Sequence, residues 1–152
     1  MLDTGTPAPE FELPNQDGDP VALPDRGTVV VYFYPRADTP GCTTEACGFR
    51  DRWDAFEDRD VRVFGISDDP VPMLATFAEE YDLPVELLSD TDGTVASAYD
   101  SYGERDVLGD TIEVAFRNTY VVRDGEIALA YEGVDPEGHA EQLLADIDAL
   151  DD

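Results

Sequence analysis

The chain contains two cysteines, and both lie in one short segment with four residues between them. Cys42 directly follows Thr39, Pro40 and Gly41, where an irregular stretch gives way to an apolar pattern with helical spacing. Backbone N–H groups at the beginning of a helix have no helical acceptors, and the positive end of the helix dipole favours a thiolate. Cys42 is therefore a candidate nucleophile. The alternative is a buried and inert structural cysteine, which is the common fate of a lone cysteine.

The two cysteines are predicted to face different sides of this helix. Cys42 belongs to an apolar stripe along one face, and we expect its thiol to point inward. The stripe consists of Cys42, Ala46, Phe49, Trp53 and Phe56. Cys47 lies about 140° further around the helix and about 7.5 Å along it. Its helical neighbours are Thr43, Arg50, Asp51 and Asp54. We therefore expect Cys47 on the polar side, where a cysteine does not fill the core.

A disulfide between the two cysteines would require a change of shape. Regular helix geometry places their Cα atoms about 8.7 Å apart, which exceeds the limit of roughly 7 Å for a disulfide. If the two sulfurs pair, the first turns of the helix must unwind. We therefore predict that the reduced and oxidised forms differ in helix content.

A metal site is a second possibility for two closely spaced cysteines. Tetrahedral sites usually need two further ligands, and the chain has one histidine, His139. We expect His139 in the first turn of the last helix, as a solvated or locally hydrogen-bonded side chain. Carboxylates are abundant, so the residues alone leave a metal open. The prediction is that the protein binds no metal and no cofactor.

A strand, a helix and a second strand must position the cysteines. Residues 28–34 form a continuous β-branched and aromatic run, which is typical of a central strand buried on both faces. The helical pattern occupies residues 42–57, and a second strand is predicted at residues 61–67. This order is a βαβ unit, whose crossover should be right-handed. The 27 residues before it contain five prolines and are predicted to form extended pieces and turns.

The next part of the chain is predicted to add a helix, a short strand and a short helix. Asp69 and Pro70 open the first of these helices, which is predicted to reach about Tyr81. Its buried face is predicted to contain Met73, Leu74, Phe77 and Ala78. The short strand is predicted at residues 83–88, and the short helix at residues 94–102.

The last part of the chain is predicted to be a hairpin and a closing helix. Strands at residues 117–123 and 126–132 flank the turn pair Asp124-Gly125. The last helix is predicted to begin with Asp135 as its cap. A parallel βαβ half followed by an antiparallel hairpin and a helix is the order of the thioredoxin fold. We therefore predict an α/β protein with a thioredoxin-like fold, in which helices flank a mixed central sheet.

Length and composition fit one domain that spans residues 1–152. Hydrophobic residues make up 42% of the chain, which is well above the level of disordered proteins. No apolar run is long enough to span a bilayer, and the first residues lack the basic-then-apolar pattern of a signal peptide. Two cysteines are too few for a disulfide scaffold. We therefore expect a soluble cytoplasmic protein that does not bind membranes.

The chain is strongly acidic. It has 36 Asp and Glu residues against 9 basic residues, all of them Arg, and a net charge of −27. No basic patch is present to neutralise phosphates, so nucleic-acid binding is not expected. One interpretation is binding to a basic partner. We favour adaptation of the whole surface to a salt-rich cytoplasm, because the acids occur in every region. Molar salt shortens the screening length to about 3 Å, and we predict a halophilic protein that is more stable there.

The segment around the cysteines is specific enough to compare with a known family. From Tyr34 to Asp51 it reads YPRADTPGCTTEACGFRD. This stretch resembles the active-site segment of the Q-type peroxiredoxins, also called bacterioferritin comigratory proteins. It contains the peroxiredoxin pattern Pro35-x-x-x-Thr39-x-x-Cys42, and Cys47 stands where many Q-type members carry their resolving cysteine. The resemblance extends to APEFELP at residues 8–14 and to FRNTYVV at residues 116–122.

The resemblance implies a role for each matching residue. Cys42 would be the peroxidatic thiolate, which attacks the distal oxygen of the peroxide. Cys47 would resolve the resulting sulfenic acid into an intramolecular disulfide. Thr39 would hold the peroxide and the thiolate through its hydroxyl, and Pro35 would shield the thiolate from water. Arg117 would place a positive charge beside the thiolate and the oxygens of the peroxide.

The same resemblance implies an activity and a partner. The protein would be a thiol peroxidase that reduces hydrogen peroxide and organic hydroperoxides in antioxidant defence. A thioredoxin-like protein would restore both thiols by exchange. Q-type relatives are often monomers, and we expect a monomer. Glu45 matches a frequent acidic or amide position and is assigned a supporting role only.

Two other classes of function remain as alternatives. The first is a dithiol redox sensor or partner-binding module, which would use the same disulfide to change shape without turnover. Sustained peroxide consumption with a reductant distinguishes a peroxidase from it. The second is a metal-binding structural domain, which would reveal itself by zinc in the purified protein.

Overall fold

The fold places alternating strands and helices around the segment that carries both cysteines. The computed structural model describes residues 2–37, 39–107 and 109–150. The strands are β1 (Glu12–Pro14), β2 (Pro20–Ala22), β3 (Thr28–Phe33), β4 (Val61–Ser67), β5 (Glu86–Ser89), β6 (Tyr102–Val107), β7 (Asp110–Ala115), β8 (Thr119–Arg123) and β9 (Glu126–Tyr131). The helices are α1 (Pro40–Asp51), α2 (Trp53–Asp58), α3 (Val71–Tyr81), α4 (Thr94–Ala98) and α5 (His139–Leu150).

Five of the strands form the central mixed sheet, in the order β5-β4-β3-β8-β9. The middle strand β3 pairs in parallel with β4 and antiparallel with β8. β4 pairs in parallel with β5, and β8 pairs with β9 in the predicted hairpin. Asp124 and Gly125 both have positive φ at its turn, as a tight hairpin requires. The predicted βαβ unit and the predicted fold class, a mixed sheet flanked by helices, are confirmed.

Side chains alternate along β3, which explains why its whole sequence is apolar. Val30 and Tyr32 lie in a core that also contains buried residues of α1, α3 and α5. Val29, Val31 and Phe33 lie in a second core with residues of α4 and of the chain before β3. A strand with a core on each face has no polar side, so the continuous apolar run is the pattern expected for it.

The helix that carries both cysteines differs from the prediction at each end. Thr39 is its N-cap in an extended conformation, and Pro40 occupies the first helical position, where the missing N–H is not needed. Arg52, with φ −111° and ψ 14°, separates α1 from α2. The single helix predicted at residues 42–57 is therefore two helices. Periodicity alone could not reveal this break, because α2 continues the same buried face.

The beginning of the last helix was predicted wrongly. α5 begins at His139 rather than beside the predicted cap, Asp135. The side chain of Asp135 instead accepts a hydrogen bond from the backbone N–H two residues later (3.0 Å) and closes a separate turn. Gly138 follows with a φ of 74°, a left-handed conformation that interrupts any helix before it. Met73 of α3, predicted to be buried, is 48% exposed.

The hairpin of β6 and β7 was not predicted. Its two strands pair antiparallel, with Tyr102 opposite Ala115. Charged residues interrupt the apolar alternation there, and only Ile112 and Val114 show it clearly. The helix predicted at residues 94–102 ends at Ala98, and Tyr102 starts this hairpin instead.

The helices are short. The longest among the described residues, α1 and α5, have 12 residues each. Within the described ranges, no helix has the length and the apolar character needed to cross a membrane.

Candidate active site

Cys42 lies in the first turn of α1, and its side chain is almost completely buried. Only 1% of the residue is exposed, which confirms the predicted inward direction. The backbone N–H of Thr43 donates to the carbonyl oxygen of Thr39 (2.8 Å) and closes the first turn. The N–H groups of Gly41 and Cys42 precede this bond and have no acceptor within the helix. They point toward the beginning of the helix, where they favour negative charge.

Arg117 is the cation beside this sulfur. Its Nη2 donates to Sγ of Cys42 (3.4 Å), and its Nη1 donates to Oε1 of Glu45 (2.9 Å). Arg117 lies in the connection between β7 and β8, just before the strand in which it was predicted. The carbonyl of Arg117 accepts a hydrogen bond from Val134 (2.8 Å), and that of Asn118 accepts one from the last residue of β3 (2.8 Å). These bonds hold the backbone on which the guanidinium stands.

Glycine at position 41 makes room for this arrangement. A Cβ atom at this position would lie 3.0 Å from Nη2 and 3.6 Å from Cζ of Arg117. Such a contact is tighter than side chains normally accept, so a larger residue would displace the guanidinium from the sulfur. The contact explains why glycine precedes Cys42. In the sequence, Gly41 stands out only as part of the segment that precedes Cys42.

Glu45 is more central to the site than its predicted supporting role. Its side chain is fully buried, and burial raises the pKa of its carboxyl to about 7, although Arg117 acts in the opposite direction. Burial lowers the pKa of the Arg117 guanidinium, but Cys42 and Glu45 outweigh this effect and raise it. The guanidinium therefore stays charged. One cation serves two acidic groups, a thiol and a carboxyl.

A groove with a volume of about 740 Å³ opens beside Arg117. The residues that line it include Pro35, Thr39, Ile112, Val114 and Arg117. The hydroxyl of Thr39 donates to the carbonyl oxygen of Arg36 (3.0 Å), so its oxygen lone pairs are what it can offer to a ligand. Arg117 lines the groove and also contacts the sulfur of Cys42. It therefore connects the groove to the buried thiol.

Cys47 lies on the side of α1 that also carries Thr43, Arg50 and Asp51, as predicted. It does not belong to the buried set of the core, but it is half-buried and packs against the same core as Cys42. On the same side, Nη1 of Arg50 donates to the carbonyl oxygen of Tyr81 at the end of α3 (2.8 Å). Both cysteines are free thiols in one continuous helix. The prediction that α1 must unwind before they can pair therefore stands.

Of the two environments expected for His139, the solvated one does not hold, because the side chain is buried and hydrogen-bonded. It is 2% exposed, and its Nε2 lies 2.9 Å from Oγ1 of Thr119. Its ring meets those of Phe49 and Tyr131 edge-on. Burial lowers its pKa to about 4, so the ring is neutral at neutral pH. Across the described ranges, no group of three or more His, Cys, Asp or Glu residues is arranged to hold a metal ion.

Two aspartates after β4 hold the loop that precedes Cys42, and sequence reasoning missed both roles. Oδ2 of Asp69 accepts a hydrogen bond from the backbone N–H of Ala37 (2.6 Å), and Asp68 pairs with Arg36. Asp69 was predicted only to open α3. The sequence holds no local signal for this contact, because its two partners lie 32 residues apart.

Comparison with known proteins identifies the family. Residues 4–130 match the model of the AhpC/TSA family. Peroxiredoxin Bcp of Escherichia coli strain K12 is 40% identical over 146 residues, which cover 94% of each chain. The chain belongs to this peroxiredoxin family. The resemblance drawn from the segment around Cys42 is confirmed.

Solved structures of peroxiredoxins share the fold over nearly the whole chain. Peroxidoxin BcpB of Mycobacterium tuberculosis is 38% identical, with a TM-score of 0.87 over 98% of both chains. The bacterioferritin comigratory protein of Xanthomonas campestris, which has alkyl peroxide reduction activity, is 28% identical. Its TM-score is 0.88, over 97% of this chain and 98% of that one. The present peroxiredoxin is accordingly a thioredoxin-fold oxidoreductase, a thiol peroxidase.

Proposed function

We propose that this peroxiredoxin acts through Cys42 as the peroxidatic cysteine and Cys47 as the resolving cysteine, in one domain spanning residues 1–152. The observation that carries the proposal is the contact between Nη2 of Arg117 and Sγ of Cys42 (3.4 Å). A guanidinium and the first N–H groups of a helix stabilise the ionised sulfur, and the thiolate is the nucleophilic form. No metal or cofactor enters the chemistry, because the sulfur itself is oxidised.

The first step is attack on the O–O bond of the peroxide. The thiolate of Cys42 donates an electron pair to the distal oxygen, so an S–O bond forms while the O–O bond breaks. The sulfur becomes a sulfenic acid, and the departing oxygen takes a proton to leave as water or an alcohol. Arg117 stands beside the sulfur, where its positive charge stabilises the charge that develops on the departing oxygen.

Thr39 and Pro35 would bind and shelter the peroxide. The hydroxyl hydrogen of Thr39 is already donated to the loop backbone, so its oxygen is free to accept the O–H of the peroxide. Pro35 lines the same groove and has no N–H group that would attract water to the thiolate. Together with Arg117, they would orient the distal oxygen toward the sulfur.

Cys47 would complete the cycle. Its thiol condenses with the sulfenic acid on Cys42, releases water and forms an intramolecular disulfide, which protects Cys42 from irreversible oxidation. A thioredoxin-like dithiol protein would then reduce the disulfide by exchange. A monomer suffices for this cycle, because both cysteines belong to one chain. The acidic surface suits a salt-rich cytoplasm as the place of action.

The proposed substrates are hydrogen peroxide and organic hydroperoxides. Ile112 and Val114 give the groove apolar walls next to Arg117, which suit an alkyl tail. The alkyl peroxide reduction activity of the Xanthomonas campestris relative supports this choice.

Turnover with a thioredoxin and its reductase, combined with intact mass measurement, tests the proposal. The wild type should consume many equivalents of peroxide, and Cys42→Ser should consume none. Cys47→Ser should gain one oxygen atom rapidly, form no intramolecular disulfide and lose sustained turnover with the thioredoxin. Activity in Cys42→Ser would refute the assignment of the nucleophile. A single oxidation of the wild type without further turnover would favour a dithiol sensor instead.

A further inference from the structure

The loop between β3 and α1 carries Pro35 and Thr39 and leads into Cys42. Within it, Thr39 donates to the carbonyl oxygen of Arg36 (3.0 Å), and Nη1 of Arg36 donates to that of Pro35 (2.9 Å). These bonds join loop residues to each other. The start of the loop is tied to β4, because the N–H of Tyr34 donates to the carbonyl oxygen of Ile66 (3.1 Å). The middle of the loop needs an anchor of its own.

Asp69, in the segment that follows β4, provides this anchor. Its Oδ2 accepts hydrogen bonds from the backbone N–H of Ala37 (2.6 Å) and from Oγ of Ser67 (2.8 Å). Two serines hold Asp69 in turn: its own N–H donates to Ser67 (3.3 Å), and its carbonyl accepts from Ser89 (2.7 Å). Only 6% of Asp69 is exposed. A buried carboxylate thus ties the middle of the loop to the ends of β4 and β5.

Asp68 makes a second attachment nearer to solvent. It pairs with Arg36 and accepts a hydrogen bond from the hydroxyl of Tyr102 (3.0 Å). The side chain of Arg36 is 40% exposed although that of Asp68 is only 11% exposed, and salt weakens an ion pair whose cation reaches solvent. The buried hydrogen bonds of Asp69 are not screened in this way. In the molar salt that this acidic protein is expected to meet, the hydrogen bonds of Asp69 therefore continue to hold the loop.

We propose that Asp69 is a positioning residue for peroxide reduction: its carboxylate fixes the loop that presents Pro35 and Thr39 beside Cys42. The inference rests on the proposed function and deepens it. The carboxylate acts through the N–H of Ala37 rather than on the sulfur or the peroxide. Without it, this N–H would be left unpaired in the interior, so the loop would have to move. A displacement of about 1 Å in a binding group can slow a reaction about 100-fold.

The test compares two reactions of the same thiol in wild-type protein and in Asp69→Ala. Stopped-flow measures the second-order rate constant for hydrogen peroxide, and mass spectrometry measures alkylation of Cys42 by iodoacetamide. Peroxide reduction needs the loop geometry, whereas alkylation needs only that the reagent reaches the ionised sulfur, and a displaced loop exposes the buried Cys42 rather than blocking it. We expect Asp69→Ala to lower the peroxide rate constant about 100-fold and not to lower alkylation. Asp69→Asn keeps an oxygen acceptor for Ala37 and should recover most of the peroxide rate.

Asp90→Ala is the matched control for loss of stability. Asp90 is a buried aspartate that also accepts two backbone hydrogen bonds, from Val95 (3.2 Å) and Ala96 (2.9 Å), but these hold α4. The Asp90→Ala substitution should lower the melting temperature and leave the peroxide rate constant unchanged. If Asp69→Ala does not fold, Ser67→Ala removes one donor to the same carboxylate and should give a smaller loss of the same kind.

The outcomes separate this inference from the proposed function. A slow peroxide reaction in the wild type would overturn the role of Cys42, whatever the variants do. A fast wild type with an unchanged ratio of peroxide to alkylation rates in Asp69→Ala and Ser67→Ala would overturn the role of Asp69 alone. Equal loss in Asp69→Ala and Asp90→Ala would mean that Asp69 contributes only to stability. A selective loss of peroxide reactivity, recovered in Asp69→Asn, is the result that the inference requires.

Discussion

Arg117 contacts a thiol and a carboxyl at the same time, and its single charge must serve both. Glu45 fixes the direction of the guanidinium, so that Nη2 is left for Cys42. The burial that makes Glu45 a firm support also makes its ionisation costly, which is why its pKa rises to about 7. The site therefore contains a carboxyl that changes charge near neutral pH.

Replacing Glu45 with Gln should change how stability depends on pH. The carboxyl titrates near pH 4.5 when unfolded and near pH 7 when folded, so the native state holds the proton more tightly. Its contribution to stability is complete below pH 4.5 and is lost as the pH rises through 7. The loss amounts to about 3 kcal/mol. Glu45→Gln lacks this loss. We therefore expect the unfolding free energy of Glu45→Gln, relative to that of the wild type, to increase between pH 5 and pH 8.

Urea unfolding in molar salt at a series of pH values measures this difference. His139, whose pKa is lowered to about 4, adds an opposite pH dependence: stability is lost as the pH falls from 6.5 through 4. It is present in both proteins and cancels in the comparison. Glu79→Gln, on the exposed side of α3, is the control and should track the wild type. A constant difference between Glu45→Gln and the wild type at all pH values would contradict the account.

Residues with a strong local pattern were predictable, and residues defined by distant contacts were not. The motif and the helix beginning singled out Cys42. Arg117 could be chosen among nine arginines only through the family resemblance, because each arginine alone looks like a surface charge. The anchoring role of Asp69 depends on a partner from another loop, and the sequence shows nothing that joins them.

Among the elements, the break at Arg52 separates α1, which must unwind for the proposed disulfide to form, from α2. Phe56 of α2 is fully buried in the same core as Leu143 and Ile147 of α5. The exposed pairs Arg59–Asp148 and Arg52–Glu141 add little to this attachment in salt. α1 can therefore lose its first turns while α2 remains attached to α5.

Oxidation should unwind α1 and leave α2 intact. The two cysteine Cα atoms lie about 8.7 Å apart in a regular helix, too far for a disulfide. We expect circular dichroism to show less helix in the disulfide form, and hydrogen exchange to lose protection in α1 but not in α2. Cys47→Ser treated with peroxide is the control and should keep its helix. Full protection of α1 in the disulfide form would contradict this expectation.

Strands with a largely apolar pattern were predicted well. Elements in which charged and apolar residues mix were predicted poorly. β3 and β4 are rich in β-branched and aromatic residues, and both appear almost as predicted. The hairpin of β6 and β7 alternates charged and apolar residues too irregularly to indicate strands. The beginning of α5 was misplaced because Asp135 caps a turn with the same chemistry that caps a helix.

The main feature of the whole molecule is its excess of acidic over basic residues. The net charge is −27, because nine arginines face 36 acidic residues. Their mutual repulsion destabilises the folded state in dilute buffer. In molar salt the screening length falls to about 3 Å, so repulsion between carboxylates that lie further apart is largely screened.

The melting temperature should therefore rise with salt. Relief of a few kcal/mol of repulsion would raise it by roughly 5 to 10 °C for a chain of this size. A titration with potassium chloride from low to molar concentration measures the rise. Glu79→Gln combined with Glu80→Gln removes two exposed acids and should make the dependence weaker. A melting temperature that does not rise with salt would contradict the halophilic interpretation.

The most direct test of the central claim is the rate at which reduced protein loses its thiols after one equivalent of hydrogen peroxide. Stopped-flow in molar salt gives the rate, and intact mass identifies the product. We expect rapid loss of both thiols, an intramolecular disulfide between Cys42 and Cys47, and a rate about 100- to 1000-fold lower in Arg117→Met. Thiol loss no faster than that of free cysteine would contradict the claim, because the site would then not activate Cys42.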